Sequence, residues 1–525
     1  MPIMRMPIAG SGIGNRLTAL AVFLVATIYL IQRFPVPEFL LQSDDQGYQL
    51  ALGMAVTPDH WPAFDFVTQY GPMVALLSAA AYQVTGNVLG DLVLSATGFA
   101  ACAAIGFFLL AATGKPRLGI LTACALILTL PRFYKWYYAL IPLLGCVLAW
   151  KYLLAGSPRR RRIIVLLWSQ LVGVSFLIRY DLGLHGLVLG IASNFLADVT
   201  QHRPRSFRYT VTGILAFGLL CLLIPLGFSF AIVTLRSAGQ LRLWLLSCVS
   251  GTADSVDNYG ISPFQFHWSS PFASANRLAV MQVWLPVYCF VIAAWTAIGL
   301  IRRRQVRREE FLASIVALCG LGICPQAYHR ADAPHMMQVI YPLVLLTFIE
   351  LGRLFASGPR QESDAPFRGA AAAFSLLLVV GSFSWGQVDQ GPLFRSPYGM
   401  LRIVMGLPYT QPNNPIADIA TVLRRTVKTD ETVFLLTETT QMPLLFFGSV
   451  RQPGLFPTYE QGMYRSRFWL EANARSLAAS PPTYIILDKA SGNDVAPYIP
   501  SLVDDWRGAY RRRLYENTRF VLYAR

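Results

Sequence analysis

The sequence has little charge for its length. Only 14% of its 525 residues are charged, whereas 54% are hydrophobic, and soluble globular proteins carry roughly 25% charged residues. A surface with so few charges cannot face water on all sides. The composition therefore excludes an ordinary soluble enzyme, a fibrous protein and a disordered chain, and it indicates that most of the chain is embedded in a membrane.

The sequence also lacks paired cysteines. Its 8 cysteines lie in or next to apolar runs, none follows residue 324, and no two have the Cys-x-x-Cys spacing. Such cysteines are typical of small packing residues. Neither a disulfide framework nor a cysteine metal cluster is predicted.

The net charge of +16 is concentrated in short basic clusters between apolar runs. These clusters are Arg159–Arg162, Arg203–Arg208 and Arg302–Arg308. Loops that stay on the cytoplasmic side of a membrane carry an excess of Lys and Arg. The clusters therefore predict cytoplasmic loops, and no nucleic-acid partner is expected.

Eleven runs have about the apolar length, near 20 residues, that a helix needs to cross a bilayer. They centre on residues 17–34, 89–112, 118–131, 138–155, 163–179, 182–199, 209–234, 281–301, 311–327, 337–354 and 369–386. The first run has a basic flank at Arg16 but no small-residue cleavage site. It therefore predicts an uncleaved anchor rather than a signal peptide.

The run at 71–86 is ambiguous, and charge decides how it is interpreted. If it crossed the membrane, the arginines at 159–162 would face outside; if it lies along the outer surface, every basic cluster is inside. We therefore predict an interfacial helix, a cytoplasmic N terminus and a first outer loop at residues 35–87. The chain is then a multi-pass protein of the plasma membrane (the inner membrane of a bacterium), with a membrane domain over residues 1–386.

Residues 387–525 have a different pattern. Short apolar stretches at 432–436, 483–487 and 520–523 alternate with helix-like segments such as 416–427, and a Pro- and Gly-rich stretch at 387–413 precedes them. This pattern predicts a linker followed by a small extracytoplasmic α/β domain. The aromatic residues of this domain, at positions 456, 459, 464, 468 and 469, could stack on sugars, but core packing is the better interpretation of each.

Two carboxylates, Asp44 and Asp45, follow the first apolar run closely and so lie at the predicted outer membrane surface. A carboxylate there can act as a general base that takes a proton from an attacking hydroxyl. The alternative is that they only begin a helix, because Asp is favoured at helix N-caps. The sequence by itself favours the second interpretation.

Three cations lie on the predicted outer face, against the trend of the basic clusters. Arg132 and Lys135 are interleaved with aromatic residues, and Arg179 precedes Asp181 between two apolar runs. Cations kept on this face suggest an anion such as a lipid phosphate, and charges at a membrane are functional candidates. The competing interpretations are an interfacial aromatic belt for the first pair and a local ion pair for Arg179.

The turn at 328–336 contains several polar residues between two apolar runs. Arg330, Asp332 and His335 lie within it, together with His329. The two histidines and the aspartate could hold zinc, but the arginine among them favours phosphate or substrate over a cation. Plain loop polarity is the third interpretation.

Taken in order, these segments resemble the GT-C superfamily of integral-membrane glycosyltransferases, especially bacterial relatives of the protein O-mannosyltransferases and the lipid A aminoarabinose transferases. The resemblance covers nearly the whole chain. It is carried by Asp45-Gln46-Gly47-Tyr48, Asp65-Phe66, Tyr70-Gly71-Pro72 and the Arg330-x-Asp332-x-x-His335 element. The superfamily usually has a second acid where this chain has Gln46, and Asp44 is added one position earlier, so which aspartate is the base stays open.

The resemblance implies an inverting transfer of a sugar from a polyprenyl-phosphate donor to a glycan, lipid or protein hydroxyl. Asp45 is the expected general base, with Asp44 as its partner. Substrate contacts are expected from Arg330, Asp332, His335, Arg132, Lys135, Arg179, Asp65 and Tyr70. No cofactor is implied, although a divalent metal is left open.

Two other functions fit a polytopic membrane protein. A transporter or flippase usually places ionisable groups in mid-membrane and often shows paired repeats, whereas the notable charges here lie at the predicted outer ends and no repeat is visible. A polysaccharide polymerase or ligase would centre on a large outer loop, for which residues 235–280 are long enough.

Overall fold

Apolar helices follow one another along the first three quarters of the chain. The computed structural model describes residues 13–33, 44–68, 70–85, 89–129, 135–201, 207–259, 267–269, 274–303, 307–329, 333–356, 365–383, 415–436, 444–445, 448–457, 459, 464, 466–490 and 508–525. For a few residues in these ranges, Asp44 and Asp45 among them, it describes the backbone alone.

The helices of this part are mostly long. They are α1 Ile13–Arg33, α2 Asp44–Ala55, α3 Pro72–Thr85, α4 Leu89–Ala112, α5 Pro116–Thr129, α6 Tyr137–Leu154, α7 Pro158–Ile178, α8 Tyr180–Thr200, α9 Phe207–Leu235, α10 Ala238–Tyr259, α11 Ser274–Arg303, α12 Arg308–His329, α13 Ala333–Val339, α14 Tyr341–Ala356 and α15 Ala365–Ser382.

Within the described residues, 8 helices are long and apolar enough to cross a membrane: α1, α4, α6, α7, α8, α9, α11 and α12. Helices α3, α5 and α15 are apolar but shorter. The predicted crossing at 337–354 is divided between α13 and α14, which meet at Ile340. Pro342 explains the break, because proline has no N–H to donate and disfavours helical geometry in the residue before it.

The segment at 235–280, predicted as an outer loop, contains the 22-residue helix α10. Its apolar residues lie at helical spacing but are mixed with polar ones, so the sequence did not identify them. Trp244 packs with Ala63, Leu177 and Ile232 in one buried cluster. Helix α10 is therefore held against the end of the bundle rather than crossing it.

The alternation of the long helices gives the bundle two faces. Helices α7 and α12 begin on the same side as the end of α11, so the clusters Arg159–Arg162 and Arg302–Arg308 share one face. The segment at 56–71 and the starts of α6 and α8 are at the other end, which we call the loop face. The predicted sorting of charge by side agrees with this arrangement.

The C-terminal part contains a four-stranded sheet of order β1-β2-β4-β3. Its elements are α16 Pro415–Thr426, β1 Val433–Leu435, α17 Arg467–Ala479, β2 Tyr484–Asp488, β3 Arg512–Glu516 and β4 Phe520–Ala524. Strands β1 and β2 pair in parallel and the other pairs are antiparallel. The three apolar stretches and the helix predicted here are confirmed, whereas β3, an exposed edge strand rich in charge, was not predicted.

The aromatic residues of this part form a core rather than a sugar-stacking surface. Phe456, Tyr459 and Trp469 are each about 1% exposed, and Phe456 stacks on Tyr464 at a centroid distance of 4.5 Å. Val67 of the segment 56–71 belongs to the same buried cluster. The C-terminal part is therefore anchored on the loop face.

Candidate active site on the loop face

The segment at 56–71 follows helix α2 and is fastened at several points. The Val67 N–H donates to the Leu455 carbonyl (3.1 Å), and the Gly71 N–H donates to the Ile178 carbonyl (2.8 Å). A side chain at Gly71 would collide with the Leu177 carbonyl, where a Cβ would lie 1.9 Å away. The segment is thus clamped between the C-terminal part and the junction of α7 and α8.

Asp65, a predicted substrate contact, orders this segment. Its carboxylate accepts the Trp61 N–H at 2.8 Å and forms an ion pair with Arg236, at the end of α9, at 3.0 Å. Both contacts use the negative charge to hold local structure. The described geometry therefore gives Asp65 a structural partner that the sequence did not reveal.

Arg179 connects the segment at 56–71 with helices α6 and α8 and, through Asp181, with α12. It is the single extended residue between α7 and α8, and its Nε lies 2.9 Å from Asp181 Oδ1. Its guanidinium carbon lies 5.7 Å from the ring centre of Tyr70 and 5.2 Å from that of Tyr138, within the range of cation–π attraction. Gln326 of α12 donates to the other oxygen of Asp181 at 2.8 Å.

Both interpretations of Arg179 therefore have support. The local ion pair exists, yet the arginine also contacts Tyr70, a residue of the motif that carries the GT-C resemblance. Its side chain is mostly buried, with 15% exposed.

Lys135 and His335 meet although 200 residues separate them in the chain. Lys135 Nζ lies 3.4 Å from His335 Nε2, and the lysine is only 7% exposed. Lys135 precedes α6, and the Tyr138 N–H donates to its carbonyl, so this pair lies one turn from the Arg179 contacts. An ammonium held at a fixed position donates short, charge-assisted hydrogen bonds to anions such as phosphate, so this position is suited to an anion.

Helix α2 carries the candidate base and is held rigidly. Asp44 and Asp45 are its first residues. One turn later, Gln49 Nε2 donates to Asp91 Oδ1 at 2.8 Å, and Ser78 Oγ donates to the same oxygen at 2.9 Å. Asp91 thereby ties α2 and α3 to α4.

Replacing Asp91 by alanine is expected to destabilise the protein by about 1–3 kcal/mol, because Gln49 and Ser78 would lose a buried charged acceptor. Thermal unfolding of the purified protein in one detergent measures this. Asp91→Asn keeps an acceptor oxygen and should lose less. Equal stability of the alanine variant and the unmodified protein would contradict the positioning of α2 by Asp91.

His60 is the residue through which we expect the stability of the segment at 56–71 to depend on pH. Its ring stacks on Phe66 at 4.9 Å, and Nδ1 lies 2.8 Å from the Ala55 carbonyl. Burial lowers the pKa of His60, and the hydrogen bond to Ala55 and the charge of Asp65 offset this only in part. The folded protein therefore holds His60 neutral to a lower pH than the unfolded chain does.

We expect acid to weaken the fold at this segment. Stability contributed by a histidine with a lowered pKa is present above its ordinary pKa of about 6.5 and declines as the pH falls below it. Melting temperatures of the protein and of His60→Gln at pH 7 and pH 5 measure the effect. The unmodified protein should lose more stability than the variant; an equal loss would exclude this role for His60.

The structure thus assembles part of the predicted site. Lys135 and His335 meet, and Arg179 meets Tyr70, whereas Asp65 pairs with Arg236 instead. Arg132, Arg330 and Asp332 lie outside the described residues, as do the side chains of Asp44 and Asp45.

Four contributors to this geometry were not predicted from the sequence. They are Tyr138, Asp91, Gln326 and Arg236. Asp91 could have been found, because an acid inside an apolar run is costly and therefore notable.

Sequence comparison finds no match: no family model matches the chain, and no curated protein does. Comparison of structures does find similarity. ArnT from Cupriavidus metallidurans, in its apo state, superposes with a TM-score of 0.51 over 97% of this chain and 98% of that chain, at 14% identity. The chain has the GT-C fold.

The archaeal oligosaccharyltransferase AglB from Archaeoglobus fulgidus, solved with an inhibitory peptide and a dolichol-phosphate, has a TM-score of 0.49. It is 12% identical and matches over 91% of this chain and 70% of that chain. The GT-C fold, shared with ArnT over nearly the full length of both chains, confirms the predicted fold class of a polytopic helical membrane protein with a small C-terminal sheet.

Proposed function

We propose that this protein is a membrane glycosyltransferase that moves a sugar from a polyprenyl-phosphate donor to an acceptor hydroxyl at the loop face. The fold that this chain shares with ArnT, at a TM-score of 0.51, supports the proposal. The observation that carries the proposal is the convergence of Lys135, His335 and Arg179 on this face, next to the motif residue Tyr70.

The cations can stabilise the negative charge of the leaving phosphate. As the bond between the sugar and the lipid phosphate breaks, negative charge develops on the phosphate oxygen. Positioned donors in a site shielded from water stabilise such charge strongly. Lys135, with His335 beside it, is the principal candidate, and Arg179, Arg132 and Arg330 are the further cations in the proposal.

The base comes from the start of α2. Asp45 occupies the position of the catalytic aspartate in the motif that the chain resembles, and Asp44 precedes it. The acceptor oxygen forms a bond to the anomeric carbon while that carbon loses its bond to the phosphate oxygen. Asp45 takes the hydroxyl proton, so the products are the glycosylated acceptor and polyprenyl phosphate, with the anomeric configuration inverted.

The C-terminal part has a place in this proposal. It contacts the segment at 56–71 through the hydrogen bond between Val67 and Leu455. It also contacts helix α10, where the guanidinium carbon of Arg242 lies 5.8 Å from the ring centre of Phe468. From this position it can cover the reaction centre and help to receive the acceptor. In the cell, the loop face would be turned outward from the inner (plasma) membrane, with the N terminus in the cytoplasm.

A panel of donors tests the proposal. Purified protein in liposomes is incubated with radiolabelled polyprenyl-phosphate sugars and with glycan, lipid and peptide acceptors that carry free hydroxyls, and transfer of label from the donor to an acceptor is followed as its release from the polyprenyl lipid. One donor should lose its label much faster with the protein than with a heat-inactivated sample. NMR of the product should show the inverted anomer.

Absence of release with every donor would favour the transporter or flippase. The same liposomes then give a direct reading, because movement of the labelled lipid between leaflets can be followed without any transfer. Movement of the lipid without release of the sugar would contradict the glycosyltransferase proposal and indicate a flippase.

A further inference from the structure

A second site lies away from the loop face, in a lateral cleft between α11, α14 and α15. The cleft contains about 660 Å³ of empty space when the open space at its mouth is included. Its α11 wall is a stripe of side chains at helical spacing: Trp284, Val287, Tyr288, Val291, Ile292 and Trp295. Phe367 and Ala371 of α15 face this stripe, and Trp295 and Phe367 are exposed at its mouth. The cleft thus opens sideways, where bilayer lipid surrounds a membrane protein.

The stripe has the length of a lipid chain in one leaflet. From Trp284 to Trp295 the helix rises about 17 Å at 1.5 Å per residue. Half of the hydrocarbon core of a bilayer is about 15 Å. The apolar wall therefore matches one acyl chain that extends from a headgroup to mid-membrane.

The cleft ends on a buried charge network at the face opposite the loop face. Arg353 contacts Glu350 at 2.8 Å and Glu310 at 3.2 Å, and Arg368 also pairs with Glu350. Glu350, Arg353 and Arg368 line the cleft directly. Buried charges of this kind at the end of an apolar groove indicate a polar ligand with an apolar tail.

The net charge around this network indicates which lipid headgroup it can bind. Lys115 pairs with neighbouring Glu309 at 2.8 Å, and Arg307 and Arg308 begin the same turn of α12. The observed ion pairs balance, with three cations (Lys115, Arg353 and Arg368) and three anions (Glu309, Glu310 and Glu350). Arg307 and Arg308, which are exposed at the start of α12, add two positive charges beside them. The excess of two positive charges complements an anion, and basic pockets between membrane helices bind anionic lipid headgroups.

The hydroxyl of Tyr288 adds a second, independent observation. Tyr288 lines the cleft and is 2% exposed, yet its hydroxyl has no hydrogen-bond partner among the described residues. A buried hydroxyl without a partner is costly. The ester carbonyl of a lipid is an acceptor of the kind this hydroxyl needs.

We propose that this cleft binds an anionic phospholipid, with one acyl chain along α11 and the headgroup phosphate at the Arg353–Arg368 network. The site lies on the opposite face from the proposed sugar transfer and does not depend on it. Lipid bound here would join α11 to α14 and α15.

Lipid retention tests the proposal directly. The full-length protein is reconstituted in bilayers with equal amounts of phosphatidylglycerol and phosphatidylcholine, extracted in mild detergent, and its bound lipids are quantified by mass spectrometry. Phosphatidylglycerol should exceed phosphatidylcholine by about fivefold or more, as expected for a net basic site. Equal retention of the two lipids would overturn the proposal.

Two variants locate the site. Ala371→Trp fills the cleft and should abolish the enrichment, while Leu377→Trp, on the exposed surface of α15, is the matched control and should keep it. Tyr288→Phe removes only the hydroxyl and should lower the amount of bound lipid about two- to tenfold, the contribution of one hydrogen bond, without changing the preference between the two lipids, because both carry the ester carbonyl.

If Ala371→Trp fails to fold, Tyr288→Phe decides the result. An amount of bound lipid that both cleft variants leave unchanged would place the lipid elsewhere and overturn the assignment. Because bound lipid is the readout, failure of sugar transfer would leave this result unaffected.

Discussion

Replacing Asp45 by asparagine is expected to lower the rate of sugar transfer by about 10²–10⁴-fold, the usual contribution of a general base. Asparagine has nearly the same shape but cannot accept the proton of the acceptor hydroxyl. The initial rate of label release from the donor, measured at saturating donor, gives the effect. Donor binding should change little, because the aspartate acts on the acceptor.

Two matched substitutions make this result specific. Asp59→Asn is the same change at an exposed position of the segment 56–71, and it should leave the rate within about a factor of two, as is usual for surface substitutions. Asp44→Asn separates the two candidates at the start of α2. If Asp44→Asn loses activity and Asp45→Asn does not, the base is Asp44; normal transfer by both would refute an aspartate base in α2.

Replacing Lys135 by glutamine is expected to lower turnover by about 10²–10³-fold, the loss seen when one charge-stabilising donor is removed from an active site. Glutamine keeps much of the side-chain volume but removes the charge that we assign to the leaving phosphate. The steady-state rate and the donor concentration at half-saturation should both be measured. A loss confined to turnover would indicate that Lys135 acts mainly on the transition state.

Helix α6, which Lys135 precedes, offers a control. Lys151, at the other end of α6, lies over the ring of Phe108 at 5.1 Å, and Lys151→Gln should leave transfer unchanged. Lys135→Arg restores the charge and should recover part of the activity. Loss of transfer in Lys151→Gln to the same extent would mean that the effect comes from α6 as a whole and not from the phosphate.

The predictable parts of this protein are those with strong local signals. Long apolar runs and basic clusters located most of the helices and sorted their ends by face, because burial in lipid and loop charge act on contiguous segments. The strands at 433–435, 484–488 and 520–524 also followed from short apolar stretches. Helix α10 was missed because its apolar residues are interrupted by polar ones.

The candidate site was predicted less completely, because its contacts join distant segments. Nothing near Asp65 in the sequence indicates Arg236, which lies 171 residues away. Gln326 and Asp181 are likewise 145 residues apart. Local patterns carry no information on such pairs, which depend on how the helices pack.

By itself, the sequence determined the membrane setting, the approximate helices, the α/β character of the C-terminal part and the segments in which polar residues deserve interest. These follow from composition and periodicity, which reflect the free energy of moving each segment out of water. Only the tertiary structure decided which polar residues meet. In the structure Lys135 lies beside His335, and Arg179 lies over the ring of Tyr70. Asp65 forms an ion pair with Arg236, and Tyr288 lines a cleft on the opposite face. Those pairings depend on helix packing, because hydrogen bonds and ion pairs act over a few ångströms in space regardless of separation along the chain.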